Sequence, residues 1–264
     1  KNNFKVSPTL RYDAREENKK TTYNLGFEAL NKFNGSGSAF DFNFDMGSSF
    51  QFPTMNDLFW PDGLYSGGNP DLKPEKSEYI AFSISNQSSV GKIKLTMSLK
   101  DYENLILWQP NESFKYVPIN VSSAERTSYN FQYLKEFSRV QMQLTYNLYD
   151  SLDKDMDKKL LYVPDSSASL LLTFKQNSST NFSLNYKLTG DRILQYGSDW
   201  ADQVNDKSYG LLSFGFSKKI AIGNSKNIVL ANLTVDNLLN EEYISTIGYP
   251  EPGRSVNFTL EYKI

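Results

Sequence analysis

The sequence predicts an all-β chain: a portion of an antiparallel transmembrane β-barrel, about twelve long strands with short periplasmic turns at one end and long extracellular loops at the other. Three observations predict it. Apolar and polar residues alternate at a period of two in segments of about ten residues or more, against about five or six for a strand in a globular protein. The connections alternate between short and long. The chain is also rich in rings, with 17 Tyr and 18 Phe, yet polar on average, with a mean hydropathy of −0.51. Alternation reconciles the two by sorting them onto opposite faces.

The first strand, near 3–13, sets Phe4, Val6, Leu10 and Tyr12 against Lys5, Thr9 and Arg11. A second follows near 20–32, and after the turn FNGSG (33–37) a third, near 38–50, alternates Phe40, Phe42, Phe44 and Met46 with Asp41, Asn43 and Asp45. A long connection, 51–74, precedes strands near 75–87 and 91–108, which are joined by the SSVG turn ending at Gly91. Another long connection, 109–122, leads to a strand near 123–134 and, after a short step at 135–137, to the clearest one, near 138–150. There Val140, Met142, Leu144, Tyr146 and Leu148 oppose Arg139, Gln141, Gln143, Thr145 and Asn147. Past the loop 151–162, Ala168, Leu170, Leu172 and Phe174 mark a strand near 163–176; after NSST (177–180), Phe182, Leu184, Tyr186 and Leu188 mark one near 180–196. Strands near 208–219 and 226–236 flank AIGNSK (221–226) and lie between the long connections 197–207 and 237–253. The last strand, near 254–264, sets Val256, Phe258, Leu260, Tyr262 and Ile264 against Ser255, Asn257, Thr259, Glu261 and Lys263. Both termini then fall at the short-turn end.

A soluble all-β protein shows the same alternation turned inside out, so strand length, strand number and loop asymmetry decide for the membrane. Asp41, Asp45, Arg139, Glu261 and Lys263 then face the lumen as its polar lining. A formal charge of −2 excludes the broad positive field that nucleic acid needs. With neither Cys nor His, the chain has no thiol nucleophile, no imidazole base and no usual zinc ligand set, so no enzyme, metal site or cofactor is expected. An outer-membrane hydrolase of twelve strands would need a histidine base. No apolar run approaches the ~18–20 residues of a membrane helix. No signal peptide follows Lys1, and the start without Met reads as a cut from something longer. The acidic run Asp153, Asp155 and Asp157 begins like a calcium loop. However, Lys158 stands where that loop needs Gly and Pro164 where it needs Glu, so a solvated loop is expected.

Phe52-Pro53-Thr54 with Leu58-Phe59, followed by Gly68-Asn69-Pro70-Asp71-Leu72-Lys73-Pro74-Glu75, resembles the barrel signature of TonB-dependent outer-membrane receptors. The segment from Val235, with its Asn-Leu pair, Gly-Tyr-Pro and Pro-Gly-Arg, is similar to that family's closing segment, and YVPDSSASLLLTF (162–174) resembles one of its strands. The resemblance implies a barrel of 22 strands around a plug, driven through TonB, of which residues 1–264 would be the C-terminal part, with the plug domain and first strands absent. It implies a bacterial outer-membrane location. Its partners would be outer-membrane lipid, the receptor's own plug and remaining strands, the TonB complex through the N-terminal part, and a metal-chelate ligand. In haem receptors of the family the two boxes flank a histidine; its absence here demotes haem and leaves the iron-siderophore or cobalamin class. A passive outer-membrane pore or translocator barrel of about twelve strands is the alternative.

Candidate ligand contacts are the loop residues Phe59, Trp60, Asp62 and Tyr65, where rings can stack on a ligand and a carboxylate can orient it, together with Trp200, Tyr243 and Tyr249. Aromatics beside strand ends also form the interfacial girdle of a barrel, which is the competing reading for each.

Overall fold

A computed structural model describes residues 3–15, 18–32, 39–197, 202–223 and 227–263. In chain order the elements are β1 (Asn3–Arg15), β2 (Asn18–Lys32), β3 (Ala39–Gln51), a short helix α1 (Met55–Phe59), β4 (Glu75–Ser88), β5 (Gly91–Pro110), β6 (Tyr116–Glu136), β7 (Val140–Asp153), β8 (Lys158–Lys159), β9 (Ser166–Asn177), β10 (Thr180–Thr189), β11 (Arg192–Gln195), β12 (Val204–Asp206), β13 (Tyr209–Ile222), β14 (Asn227–Asp236), β15 (Ile244–Thr246), β16 (Tyr249–Pro250) and β17 (Ser255–Lys263). Twelve of them make one antiparallel meander in the order β1-β2-β3-β4-β5-β6-β7-β9-β10-β13-β14-β17, with β8 paired to β7. The pairs β11-β12 and β15-β16 stand off this wall, in the long connections. Asn3 and Lys263 lie at the same end, opposite the long connections, while β1 and β2 are joined at the long-loop end across only residues 16–17.

Register puts like with like. Val6, Phe27, Phe44, Phe82, Met97, Tyr129 and Leu148 lie side by side across β1 to β7. Val140, Phe174, Phe182, Phe216, Leu233 and Phe258 do so across β7 to β17. One residue along, Asn43, Ser83, Thr96, Asn130, Asn147 and Ser167 form a polar row. Within it Asn130 Nδ2 donates to Asn147 Oδ1 at 2.5 Å and Asn147 Nδ2 to Ser167 Oγ at 3.0 Å. Phe82 is 49% exposed and Met97 41%, whereas Ser83 and Ser85 are each 6% exposed. The wall therefore carries its apolar side chains outward and shelters its hydroxyls and amides inward, the reverse of a soluble sheet. That arrangement is stable only where the outer face meets hydrocarbon. Of the predicted lumen residues, Asp41 accepts a hydrogen bond from Ser85 on Oδ2 while its Oδ1 is shielded, and Glu261 pairs with Lys263 at 3.3 Å.

Two predicted boundaries are corrected. The connection 109–122 is mostly strand: β5 and β6 run for 20 and 21 residues, and their hairpin turns over only 111–115. At ~3.4 Å per residue each strand is about 70 Å long, far beyond a ~25 Å apolar band, so their outer halves project as a ribbon. Pro118 is tolerated in β6 because β7 pairs only from Ala124 onward, leaving that edge of the ribbon without a ladder to satisfy. The strand expected over 180–196 is broken: β10 ends at Thr189, and β11 leaves the wall with Leu194 fully buried. The expected turn 33–37 lies outside the described residues.

The buried apolar residues of the described chain, Leu72, Val121, Ala124, Leu160, Leu161 and Leu194, all sit at the long-loop end. Val121, Ala124 and Leu160 pack together there against Tyr102, Leu105, Leu107 and Val163. A belt of ion pairs lies just below: Lys76 to Glu103 at 2.8 Å, and Lys154 to Asp101 at 2.6 Å and to Glu125 at 3.1 Å. Lys154, set within the acidic run, supplies the cation at the centre of this belt. Asp153 Oδ1 accepts from the backbone N–H groups of Asp155 and Met156, and no metal cluster occurs among the described residues.

Candidate functional site

The Pro- and Gly-rich stretch before β4 is a strap that fastens the 52–74 connection to the β5-β6 ribbon. Asn69 Nδ2 donates to the Pro118 carbonyl at 3.0 Å, and its Oδ1 accepts from the Asp71 N–H at 3.0 Å. Asn120 answers from the ribbon: its Oδ1 accepts from the Lys73 N–H at 2.8 Å, and its Nδ2 donates to the Lys73 and Asn104 carbonyls. Glu75 accepts from the Ile106 N–H at 2.7 Å. Gly68 passes so close to the preceding turn that a Cβ would lie 2.7 Å from Trp60 N and 2.8 Å from the Leu58 carbonyl, a contact only glycine permits.

This strap presents α1. Thr54 and Asp57 form a capping box at its start, with the Asp57 N–H donating to Thr54 Oγ1 at 3.2 Å and the Thr54 N–H to Asp57 Oδ2 at 2.8 Å. The other carboxylate oxygen of Asp57 accepts from Trp108 Nε1 at 2.8 Å, which ties the helix to the ribbon. Burial pushes the Asp57 carboxyl up, but the hydrogen bonds from Thr54 and Trp108 outweigh it and hold the pKa below the ordinary range.

At the long-loop end these pieces line an open cavity of about 930 Å³. It is lined from four connections: Thr54, Asp57, Trp60 and Ser66; Trp108 and Tyr116 of the ribbon; Leu161 and Tyr162; and Thr246, Tyr249 and Glu251. Between β5 and β14 the ladder takes six steps, about 29 Å along a flat sheet, so these groups meet only because the sheet curves and its loops fold across the mouth. Trp60 and Trp108 stand edge to face at 6.3 Å, and Tyr116 and Tyr162 are 6.3 Å apart.

Of the residues expected from sequence, the structure brings Trp60 and Tyr249 onto this cavity. Phe59, Asp62 and Tyr65 do not line it: Phe59 and Tyr65 point into solvent, and the Asp62 carboxylate is paired with Lys115. Tyr243 stacks on Tyr209 at 4.8 Å, and burial raises its pKa. Trp200 lies outside the described residues. Sequence reading missed Trp108, Tyr116, Tyr162 and Glu251. Trp108 and Tyr116 flank a hairpin tip that passed for the edge of a loop, and nothing local signals that Tyr116 and Tyr162, far apart in the chain, come together.

Beside the cavity, Arg192 ties three segments together. It pairs with Asp206 at 2.8 Å, donates to the Ile244 carbonyl, and lies over the Tyr209 ring at 5.8 Å. Nearby, Tyr196 donates to the Lys159 carbonyl at 2.5 Å; burial, with help from the Asp153 charge, pushes its hydroxyl up to about 12. A phenol raised from the ordinary 10.0 favours the folded loops fully below pH 10, and the contribution is lost as pH rises from there to about 12. Alkaline titration of the full-length protein should therefore show a late phenolate absorbance step that Tyr196→Phe removes, and proteolysis of 154–165 that begins only within that window.

The family described as TonB dependent receptor-like, beta-barrel matches residues 1–238. The chain is 28% identical over 225 residues to the vitamin B12 transporter BtuB of Photobacterium profundum, covering 82% of this chain and 34% of that protein. It is 26% identical over 251 residues to the BtuB of Vibrio vulnificus, covering 93% and 38%. Among solved structures, it superposes with a TM-score of 0.70 and 16% identity on a mutant of the ferric enterobactin receptor PfeA from Pseudomonas aeruginosa, over 98% of this chain and 42% of that one. The siderophore receptor PirA from Acinetobacter baumannii gives 0.70 and 17%, over 99% and 43%. The chain thus spans less than half the length of these relatives. A wall that is apolar outside and polar inside, loops gathered over one mouth and a family match over residues 1–238 lead to one conclusion: the chain belongs to the TonB-dependent receptor-like β-barrel family of the bacterial outer membrane.

Proposed function

We propose that residues 1–264 form the C-terminal part of the barrel of a TonB-dependent receptor and supply the mouth that catches a large scarce nutrient of the iron-siderophore or cobalamin class. The observation that carries this reading is the open cavity at the long-loop end of the wall, lined by four connections from distant strands. A ligand seated among Trp60, Trp108, Tyr116 and Tyr249 gives up water to aromatic faces while the strap and the Arg192 cluster keep those faces in place. The polar lining of the wall offers amides and hydroxyls to a plug filling the lumen, and release follows when TonB acts on that plug. The chain contributes wall and rim and performs no catalytic step.

In cells carrying the full-length receptor and TonB, deleting 52–74 should abolish binding and uptake of radiolabelled ligand, with vitamin B12 and a ferric siderophore tried in turn. The unboiled protein should keep the altered gel mobility of a folded barrel. Uptake that survives the deletion, or a steady open channel in planar bilayers that needs no TonB, would instead make the protein a passive pore.

A further inference from the structure

The outward side of the wall carries two recesses, one above the other on β4 and β5. The lower is an apolar groove of about 360 Å³ between Phe82 and Ile84 of β4, Leu95 and Met97 of β5, Tyr129 of β6 and Leu148 of β7. On β4 and β5 the outward apolar run stops at Ile80 and Leu99, and the next outward positions are Glu78 and Lys76, and Asp101 and Glu103. These four line the upper recess, a charged dent also of about 360 Å³ that reaches across to Lys20, Tyr23 and Phe50. Glu78 lies four residues from Phe82, about 14 Å along the strand.

The dent is a split in the wall. The β2-β3 ladder ends at Asn24 and Gly47, although β2 begins at Asn18 and β3 runs on to Gln51. Across the split the Tyr23 N–H turns to Ser48 Oγ at 3.2 Å. Unpaired backbone is not tolerated against hydrocarbon, so the split marks the level at which lipid headgroups begin. Its charges are unevenly spent. Lys76 pairs with Glu103 at 2.8 Å, and Asp101 with Lys154 at 2.6 Å. Lys20, 5.9 Å over the Phe50 ring, and Glu78 have no ion-pair partner among the described residues. One unspent ammonium and one unspent carboxylate thus face a recess directly above an apolar groove.

We propose that this face seats one membrane lipid with a zwitterionic headgroup, an acyl chain lying in the groove, the lipid's ammonium at Glu78 and its phosphate at Lys20. Hydrocarbon in the groove continues the contact that the rest of the outward face makes with the bilayer, and the two unspent charges match a headgroup that bears both signs. Register sets Glu78, Asp101 and Glu125 side by side across β4 to β6. That row repels a lipid that carries phosphates alone, and in a symmetric pair of barrels joined through this face it would be set against itself. The seat belongs to the membrane face and is independent of the nutrient the mouth takes.

The full-length receptor, purified in detergent and showing the gel mobility of a folded barrel, is titrated with phosphatidylethanolamine and phosphatidylglycerol of identical acyl chains, and bound lipids are counted by native mass spectrometry. One copy of phosphatidylethanolamine should bind at least fivefold more tightly than phosphatidylglycerol. Glu78→Gln should abolish that preference by weakening the ethanolamine lipid alone, whereas Lys20→Gln should weaken both. Leu95→Trp, which fills the groove with an apolar ring, should weaken both lipids about fivefold and keep the preference. Equal affinity for the two lipids, tighter binding of phosphatidylglycerol, or a preference that survives Glu78→Gln overturns the proposal. So does a dimer of barrels that displaces both lipids. Each of these outcomes leaves the receptor reading standing.

Discussion

Phe82→Arg is expected to destabilise the barrel by about 2–4 kcal/mol when the full-length protein is unfolded by urea in lipid vesicles, because the substitution places a guanidinium in the apolar band. Phe82 sits midway along β4 between Met97 and Phe44, on the face whose rings point away from the lumen. Met97→Arg should behave alike. Thr96→Lys should stay within about 1 kcal/mol, since the lumen face of β5 already carries Lys94 and Lys100 at the same parity and lumen charges tune selectivity rather than folding. A soluble sheet would give the opposite order, with Thr96→Lys the damaging change, so the pair of measurements tests the inside-out assignment directly.

The second large effect is Arg192→Met. The side chains of Arg192 and Asp206 are 9% and 16% exposed, so removing the cation strands a sheltered carboxylate and also frees the Ile244 carbonyl. Breaking such a pair costs about 3–5 kcal/mol, and residual solvent access puts the expectation near the lower bound. The loss should be confined to the loops. Limited proteolysis should cut within 190–208 and 237–254 while the wall keeps its resistance to heat in detergent. The double change Arg192→Met with Asp206→Leu should recover much of the loss, because two apolar groups can replace a sheltered ion pair where one cannot.

The wall was legible in the sequence because a strand immersed on one side in hydrocarbon and on the other in a polar lumen must alternate at every residue. Val140 to Leu148 records that constraint without a break. The ribbon was not, since beyond Glu103 the lipid constraint ends: Leu105, Ile106, Leu107 and Trp108 are consecutive and apolar, and Pro110, Asn111 and Pro118 read as loop. The break after β10 was hidden because Leu194 falls in phase with Leu188 and so prolongs the alternation in appearance, and the close approach of Asp165 and Ser166 that excludes any side chain at Gly190 is a tertiary fact. At the mouth, composition pointed to Trp60 and Tyr249 but also to exposed rings such as Tyr65. Trp60 and Tyr65 share one connection, and what separates them is the turn between them: Trp60 Nε1 donates to Ser66 Oγ and its ring meets Trp108 edge to face, whereas Tyr65 is turned outward, which no local pattern records.

The concentration of buried apolar residues above the wall has a thermal consequence. Leu72, Val121, Ala124, Leu160, Leu161 and Leu194 are withdrawn from water, so melting the mouth exposes them to it and carries the positive heat-capacity change of a small aqueous domain. The outward face of the wall stays against acyl chains whether or not the mouth is closed and contributes nothing to that change. Cooling therefore weakens the grip of the loops through fading hydrophobic association while leaving the barrel untouched. The mouth and the wall are one polypeptide with two different stability curves, one set by water and the other by the bilayer.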